Sequence, residues 1–263
     1  MKVGIIGCGN LGVALAKGIR AKHHDLPIYC SKRNINSIAD LQSDRTTVTA
    51  DNKLVLEQCD LIILALKPYT ILDFVKEHAQ FFDAKRHTIV SVATGVQLSE
   101  MKAQLPSGDW SLFRAMPNTG AGVGESMTAL SFHADPLNKS TEVMELFNCI
   151  GKTIVIDEQL MESATILGAC GIAYVLRFMR AMIQGGIQVG FDSKTATTIV
   201  SQTIKGAAEL IIQNGSHPEE EIDKVTTPKG CTIVGLNEME HSGFSSALIK
   251  GIVTSFEKIE RHS

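Results

Sequence analysis

Three glycines near the start of the chain are spaced for chemistry on an anion. Gly7, Gly9 and Gly12 sit in Gly7-Cys8-Gly9-Asn10-Leu11-Gly12, a G-x-G-x-x-G pattern. The apolar residues Val3, Ile5 and Ile6 precede them, and Val13 to Ile19 continues at helical spacing. Strand, glycine turn and helix in that order make a pyrophosphate site. The first glycine permits the tight turn, the second lets backbone approach the phosphates, and the third lets helix and strand pack closely. The helix then offers free N–H groups to the anion. Gly7, Gly9, Asn10, Leu11 and Gly12 are therefore expected to hold the phosphates of a dinucleotide. Glycine is common, so the pattern is weak alone; the strand before it and the helix after it carry the inference.

A second corner of such a site lies at the end of the next strand. In an NAD site an Asp or Glu stands there, about 20 residues past the glycines, to take the ribose 2′-hydroxyl. Here Ile28-Tyr29-Cys30 runs into Ser31-Lys32-Arg33-Asn34, with no acid. A hydroxyl and two cations suit a 2′-phosphate, through one hydrogen bond and two counter-charges. Ser31, Lys32 and Arg33 thus predict NADP as cofactor, with NADPH preferred over NADH; a solvated basic turn is the plainer alternative.

The elements that must position these residues alternate along the first half. Strands are expected at Thr46–Thr49, Leu61–Leu66, His87–Val92, Trp110–Ala115, Met127–Ser131 and Lys152–Ile156. Helices are expected at Ile35–Leu41, from Asp51-Asn52 onward, at Tyr69–Phe82, at Leu98–Gln104, and from Asp135-Pro136 to about Ile150. Alternation of this kind makes a doubly wound, Rossmann-type parallel sheet. Ligands in such sheets lie at the carboxyl ends of the strands, so Ala65, Leu66 and Lys67 are placed to touch the cofactor.

After about Asp157 the pattern holds no convincing strand. Helices are expected at Met161–Val189, Ser193–Asn214, Glu219–Val225, Gly230–Met239 and Phe244–Arg261. The first carries many small residues, among them Gly168, Ala169, Gly171, Gly185 and Gly186. Each glycine costs a helix about 1 kcal/mol against alanine, so several imply close approach of another helix. A helical half of this kind is short of core alone. The expected organisation is a dinucleotide-binding domain over residues 1–157 and an all-α substrate and dimerisation domain over 158–263, associating as a homodimer or higher homo-oligomer.

Composition limits the alternatives. The 263 residues carry 25 Lys and Arg against 28 Asp and Glu, which gives no electrostatic case for nucleic acid or an anionic membrane. The longest clean apolar run, Leu61–Leu66, is short of the roughly 20 residues that span a bilayer. With Met1 leading directly into the first strand, no signal peptide is expected. The cysteines Cys8, Cys30, Cys59, Cys149, Cys170 and Cys231 are scattered, as free thiols of a cytoplasmic protein are. The histidines form no metal-spaced set, and no metal is expected.

Taken together, the chain resembles pyrroline-5-carboxylate reductase over essentially its whole length. The specific stretches are Ala65-Leu66-Lys67-Pro68, Arg114-Ala115-Met116-Pro117-Asn118-Thr119, Val123–Leu130 and, above all, Asp223-Lys224-Val225-Thr226-Thr227-Pro228-Lys229-Gly230-Cys231-Thr232-Ile233-Val234-Gly235-Leu236. The last looks like the family's Ser/Thr-Pro-Gly-Gly-x-Thr loop opening a helix. Hydroxyls and backbone N–H groups at a helix N-terminus suit a carboxylate. The resemblance implies that Thr227, Gly230, Cys231 and Thr232 cradle a small cyclic imino acid, with the Thr232 hydroxyl near the ring nitrogen as the catalytic group. It implies hydride transfer from a reduced nicotinamide to the C=N carbon, giving proline. It also implies that Asn52, Lys67, Ala93 and Gly95 lie near the cofactor, with Pro117 and Asn118 beside the nicotinamide; the plainer alternatives are a helix cap for Asn52 and a strand terminus for Lys67-Pro68.

The chain departs from the family in two places. Leu167-Gly168-Ala169-Cys170-Gly171-Ile172-Ala173-Tyr174 stands where the family has Ser-Gly-Ser-Gly-Pro-Ala-Tyr near the start of its long helix, and Lys229 replaces the first of the paired glycines. Lysine holds a positive φ poorly, although it adds positive charge near an anionic substrate. These changes leave open a divergent reductase of a related imine or small acid, or a non-catalytic NADP-binding regulator. A 3-hydroxy-acid dehydrogenase is disfavoured, because Gly168–Gly186 offers Arg177 and Arg180 but no lysine as proton donor.

Overall fold

The computed structural model describes residues 1–260. Eight strands form one sheet among them: β1 (Val3–Ile6), β2 (Ile28–Ser31), β3 (Thr46–Thr49), β4 (Leu61–Leu64), β5 (Thr88–Ser91), β6 (Ser111–Met116), β7 (Ser126–Phe132) and β8 (Gly151–Val155). Their order is β3-β2-β1-β4-β5-β6-β7-β8. Every pairing is parallel except β6 with β7, which is antiparallel. The expected doubly wound α/β architecture is the one present.

Strand alternation sends successive side chains to opposite faces, and two cores result. Val3, Ile5, Leu61 and Ile63 meet Leu15 and Ile19 of helix α1 (Asn10–Lys22) and Val143, Leu146 and Phe147 of α5 (Ser140–Phe147). Ile6, Ile62 and Leu64 meet Val55 and Leu56 of α2 (Asn52–Gln58), Ile71 and Val75 of α3 (Pro68–Glu77) and Met101 of α4 (Leu98–Ala103). Each fully buried Ile or Leu is worth roughly 1.5–3 kcal/mol, so the central strands anchor the layer that carries the glycine turn.

Several expected helices differ in detail, and the one expected at Tyr69–Phe82 is α-helical only to Glu77, with a 3₁₀ turn at Ala79–Phe81 after it. Ile35–Leu41 is 3₁₀ rather than α, with a break at Ile38 (φ −134°). The segment after β7 turns helical only at Ser140, because the Asp135 carboxylate accepts the Ser140 N–H (2.7 Å) and the Ser111 hydroxyl (2.9 Å) and closes a loop instead.

Past β8, α6 (Met161–Ala164) is joined to α7 (Gly171–Gln188) by a π-helical turn, Thr165–Cys170. Helices α8 (Ser193–Asn214), α9 (Pro218–Val225), α10 (Cys231–His241) and α11 (Phe244–Glu260) follow. The expected end of the last helix at Arg261 lies outside the described residues. The chain divides into two units, Met1–Ile172 with the chain from Phe256 onward, and Ala173–Ser255. In the second unit only Ala196 and Val200 are buried apolar side chains among the described residues, while Leu176, Ile212 and Ile249 are more than half exposed. Within it the Tyr174 hydroxyl donates to Ser255 Oγ (2.9 Å). Glu158–Gln188 is also a helical stretch long and apolar enough to cross a membrane, with mean hydropathy 1.6 and 6% of its apolar window buried.

His87 pins the sheet from inside. Its Nδ1 accepts the Asp83 N–H (3.0 Å), so Nε2 carries the proton and donates to the Leu56 carbonyl (3.0 Å). Burial, followed by repulsion from Arg86, holds its pKa below the ordinary 6.5. The unfolded chain takes up a proton near 6.5 that the folded chain refuses. Stability is therefore full above that pH and falls as pH drops below it, until the lowered folded-state pKa is passed. Urea unfolding of wild type and His87→Gln across this range tests the assignment: wild type should lose stability below 6.5 and the variant should show a flatter dependence.

Candidate functional site

A cleft of about 890 Å³ opens at the carboxyl ends of β1, β2, β4 and β5. That volume suits a small-molecule ligand. The glycine turn forms its floor. Gly7 has φ +83°, and a Cβ there would lie 2.7 Å from the Ala65 carbonyl oxygen, so the turn accepts no side chain. Gly12 would place a Cβ 3.1 Å from Ile5, the helix–strand contact expected of it. Gly9 differs: a Cβ there meets nothing nearer than 3.9 Å. The space it leaves is cleft, so the second glycine serves an approaching ligand rather than the protein's own packing.

Helix α1 begins at this point with no side-chain cap and no acid in its first turn. Asn10, Leu11 and Gly12 line the cleft, and the helix dipole adds partial positive charge there. Lys32, Arg33 and Lys67 also line it, with no ion-pair partner among the described residues, and no acid is in its wall. The chain is net negative, yet every charged side chain in this concavity is basic. Its features fit a dinucleotide phosphate chain.

The second corner is more tightly built than the sequence suggests. Asp51 caps α2 by accepting the N–H groups of Lys53 (2.9 Å) and Leu54 (3.3 Å). That frees Asn52 from capping. Its Oδ1 accepts the Ser31 hydroxyl proton at 2.6 Å. Ser31 is fully buried, so Lys32 and Arg33 supply the charge at this corner while Ser31 orients Asn52. Ala65, Leu66 and Ala93 line the wall as expected, joined by Asn34, Thr94 and Tyr69, which sequence reasoning missed. Tyr69 follows Lys67-Pro68 at the strand end and is 80% exposed, so position after β4 is the one signal that could have found it.

Gly95, Pro117 and Asn118 are not in this wall. Gly95 has φ +72° and faces open space. Pro117 and Asn118 are buried beyond the end of β6. Nearby, the buried Arg114 guanidinium pairs with Glu158 and Glu162, both at 3.1 Å. Glu158 also accepts the Leu98 N–H (2.8 Å) at the start of α4. This tie between the sheet and the beginning of the long helical stretch gave no sequence signal.

In the second unit, Thr227-Pro228-Lys229-Gly230 is a turn closed by the Gly230 N–H donating to the Thr227 carbonyl (2.9 Å). Lys229 holds φ +60° there. The lysine therefore does adopt the conformation that favours glycine, at a strain of about 1–2 kcal/mol. Gly230 fits closely, since a Cβ would lie 2.6 Å from Thr227 Oγ1 and 3.0 Å from the Thr227 carbonyl oxygen. Helix α10 then starts without a side-chain cap, leaving the first-turn N–H groups of Cys231, Thr232 and Ile233 open. Thr232 is half-buried and Cys231 exposed. All six cysteines are free, as expected.

Fold and cleft define the dinucleotide-binding class of α/β protein. The family model described as pyrroline-5-carboxylate reductase dimerisation matches residues 158–262, and one described as NADP oxidoreductase, coenzyme F420-dependent, matches residues 2–95. Pyrroline-5-carboxylate reductase 1 of Dictyostelium discoideum is 42% identical over 97% of this chain, which spans about half (49%) of that relative. Pyrroline-5-carboxylate reductase 2 of the same organism is 40% identical over 97% of this chain and 91% of its own length. A pyrroline-5-carboxylate reductase structure from Coxiella burnetii shares the fold, with TM-score 0.92 and 24% identity over 100% of this chain and 98% of its own. The chain belongs to the pyrroline-5-carboxylate reductase family.

The strain at Lys229 has a measurable consequence. Lys229→Gly removes about 1–2 kcal/mol of left-handed strain and restores about 0.5–1 kcal/mol of chain entropy to the unfolded state. Thermal unfolding should show the variant more stable by roughly 0.5–1 kcal/mol. A loss of stability would contradict the strained-turn assignment.

Proposed function

We propose that the protein reduces 1-pyrroline-5-carboxylate to proline with NADPH, as a homodimer or larger homo-oligomer. The observation that carries the cofactor half is the basic, acid-free cleft over an uncapped helix N-terminus. The family supports the substrate half. Bound NADPH supplies the hydride that the C=N carbon takes up.

The chain's own residues do the positioning. The N–H groups of α1 and the Gly9 backbone hold the pyrophosphate, and Lys32 and Arg33 hold the 2′-phosphate against Asn52. Ala65, Leu66, Lys67 and Ala93 flank the rest of the nucleotide. The open N–H groups at the start of α10, together with Thr227 and Gly230, hold the substrate carboxylate, and Lys229 adds a cation beside them. Thr232 is the proton relay at the ring nitrogen; its hydroxyl has no protein hydrogen-bond partner among the described residues and is free to turn toward a ligand. A protonated imine is already electrophilic, so orientation supplies much of the rate.

The match over 158–262 supports a boundary after residue 157 and a dimerisation role for the helical part. The exposed apolar side chains of the second unit, with two buried ones among the described residues, support a second copy as their cover. This reading also accounts for the apolar, unburied Glu158–Gln188 stretch as an interface.

Oxidation of NADPH in the presence of 1-pyrroline-5-carboxylate is the direct test. Turnover with proline formed supports the proposal; binding of NADPH without turnover of this imine contradicts it. Thr232→Ala should lower kcat by about tenfold or more, the worth of one hydrogen bond at the reacting nitrogen, with the NADPH Kd nearly unchanged. Replacing both Lys32 and Arg33 by Ala should narrow the preference for NADPH over NADH by at least about tenfold, the worth of one charge-assisted hydrogen bond to the 2′-phosphate. An unchanged preference would remove that corner from cofactor choice.

A further inference from the structure

We propose that Asn118 is a positioning residue that sets the π-helical turn Thr165–Cys170 through its side-chain amide. The inference deepens the substrate reading above and rests on it for its kinetic consequence.

A π-turn breaks the regular ladder of helical hydrogen bonds and is found frequently at functional sites. Such a turn needs an outside tether to hold its carbonyls. Gly168 has no atom within 4 Å of where a Cβ would stand, so side-chain packing does not fix it. Its carbonyl instead accepts a hydrogen bond from Asn118 Nδ2 at 2.9 Å. Upstream, the Thr165 hydroxyl donates to the Met161 carbonyl (2.8 Å).

Asn118 is itself held firmly. Its Oδ1 accepts the Gly120 N–H (2.9 Å), its backbone N–H donates to Ser126 Oγ (2.9 Å), and the residue is only 9% exposed. The amide can adopt only one orientation, because a flip would set carbonyl against carbonyl at Gly168 and N–H against N–H at Gly120. Both polar atoms of the side chain are thus committed to the protein. Asn118 acts on the reaction through the turn and not through the cofactor.

Aspartate at this position gives a test with an internal control. A neutral carboxyl can donate to Gly168 and accept from Gly120, as the amide does; a carboxylate cannot donate. Burial raises a carboxyl's pKa above its usual range, so ionisation should be observable. The other ionisable groups on the two bridged segments are Glu125, Glu162 and Cys170, with Glu162 paired to Arg114. In Asn118→Asp, kcat/KM for the imino acid should match wild type within a few-fold at low pH and fall with one added ionisation as pH rises. Asn118→Ala should be low throughout, by about tenfold or more, and the NADPH Kd should stay near wild type in both. A wild-type pH profile in Asn118→Asp, or an NADPH Kd that rises in step with the loss, would overturn the proposal.

Amide hydrogen exchange across residues 165–172, measured on the free protein without substrate, separates this claim from the functional one. Exchange should quicken in Asn118→Ala and, above the added ionisation, in Asn118→Asp. Unchanged exchange in both variants would overturn the positioning role even if the wild type reduces the imine. Quickened exchange would support it even if that imine proved to be the wrong substrate.

Discussion

The structure depends on leaving the first helix uncapped. A helix start exposes N–H groups that must find an acceptor, and several other helix starts here find one nearby or place proline in the first turn. Asp51 serves α2, Asp192 serves α8 and His217 serves α9, while α3 opens on Pro68. At α1 the acceptor is missing by construction: glycines replace the side chains that could supply it. The central position of β1, flanked by β2 and β4, sets that helix start at the meeting of four strand ends. Basic residues from the ends of β2 and β4 then surround it without acidic partners.

The late loop before α10 repeats the arrangement with different means. It too opens a helix without a cap, but there a lysine sits in left-handed backbone where glycine would rest without strain. Backbone strain of this kind persists where the surroundings fix it. The Thr227 carbonyl and the tight fit of Gly230 under Thr227 Oγ1 do so here. The unit that holds this loop keeps much of its apolar surface exposed, and the family model described as pyrroline-5-carboxylate reductase dimerisation covers it.

Much of this was legible because local rules and the fold agreed. The roles of Gly7, Gly9 and Gly12 followed from their spacing between an apolar strand and a helix, and the structure separates them as backbone conformation, open approach and close packing. The basic turn at Lys32 and Arg33 was legible from the missing acid. What stayed hidden depends on partners distant in sequence. Ser31 meets Asn52 only through the register of β2 against the start of α2. Arg114 meets Glu158 and Glu162 across more than 40 positions. The π-turn is invisible to a 3.6-residue period, since one extra residue in a turn hardly alters the apolar pattern. The left-handed backbone at Lys229 was hidden for a plainer reason: propensity disfavours it, and the closed turn around it overrides propensity.

We propose that one protein joins an amino-terminal turn for a reduced dinucleotide to a threonine-bearing loop for a ring acid. A crystal structure of the assembled protein with NADP⁺ and proline bound addresses that claim most directly. It should show the pyrophosphate on the N–H groups of α1 and the proline carboxylate on those of α10. Pyrophosphate bound away from the α1 start, or proline bound away from the α10 loop, would contradict it.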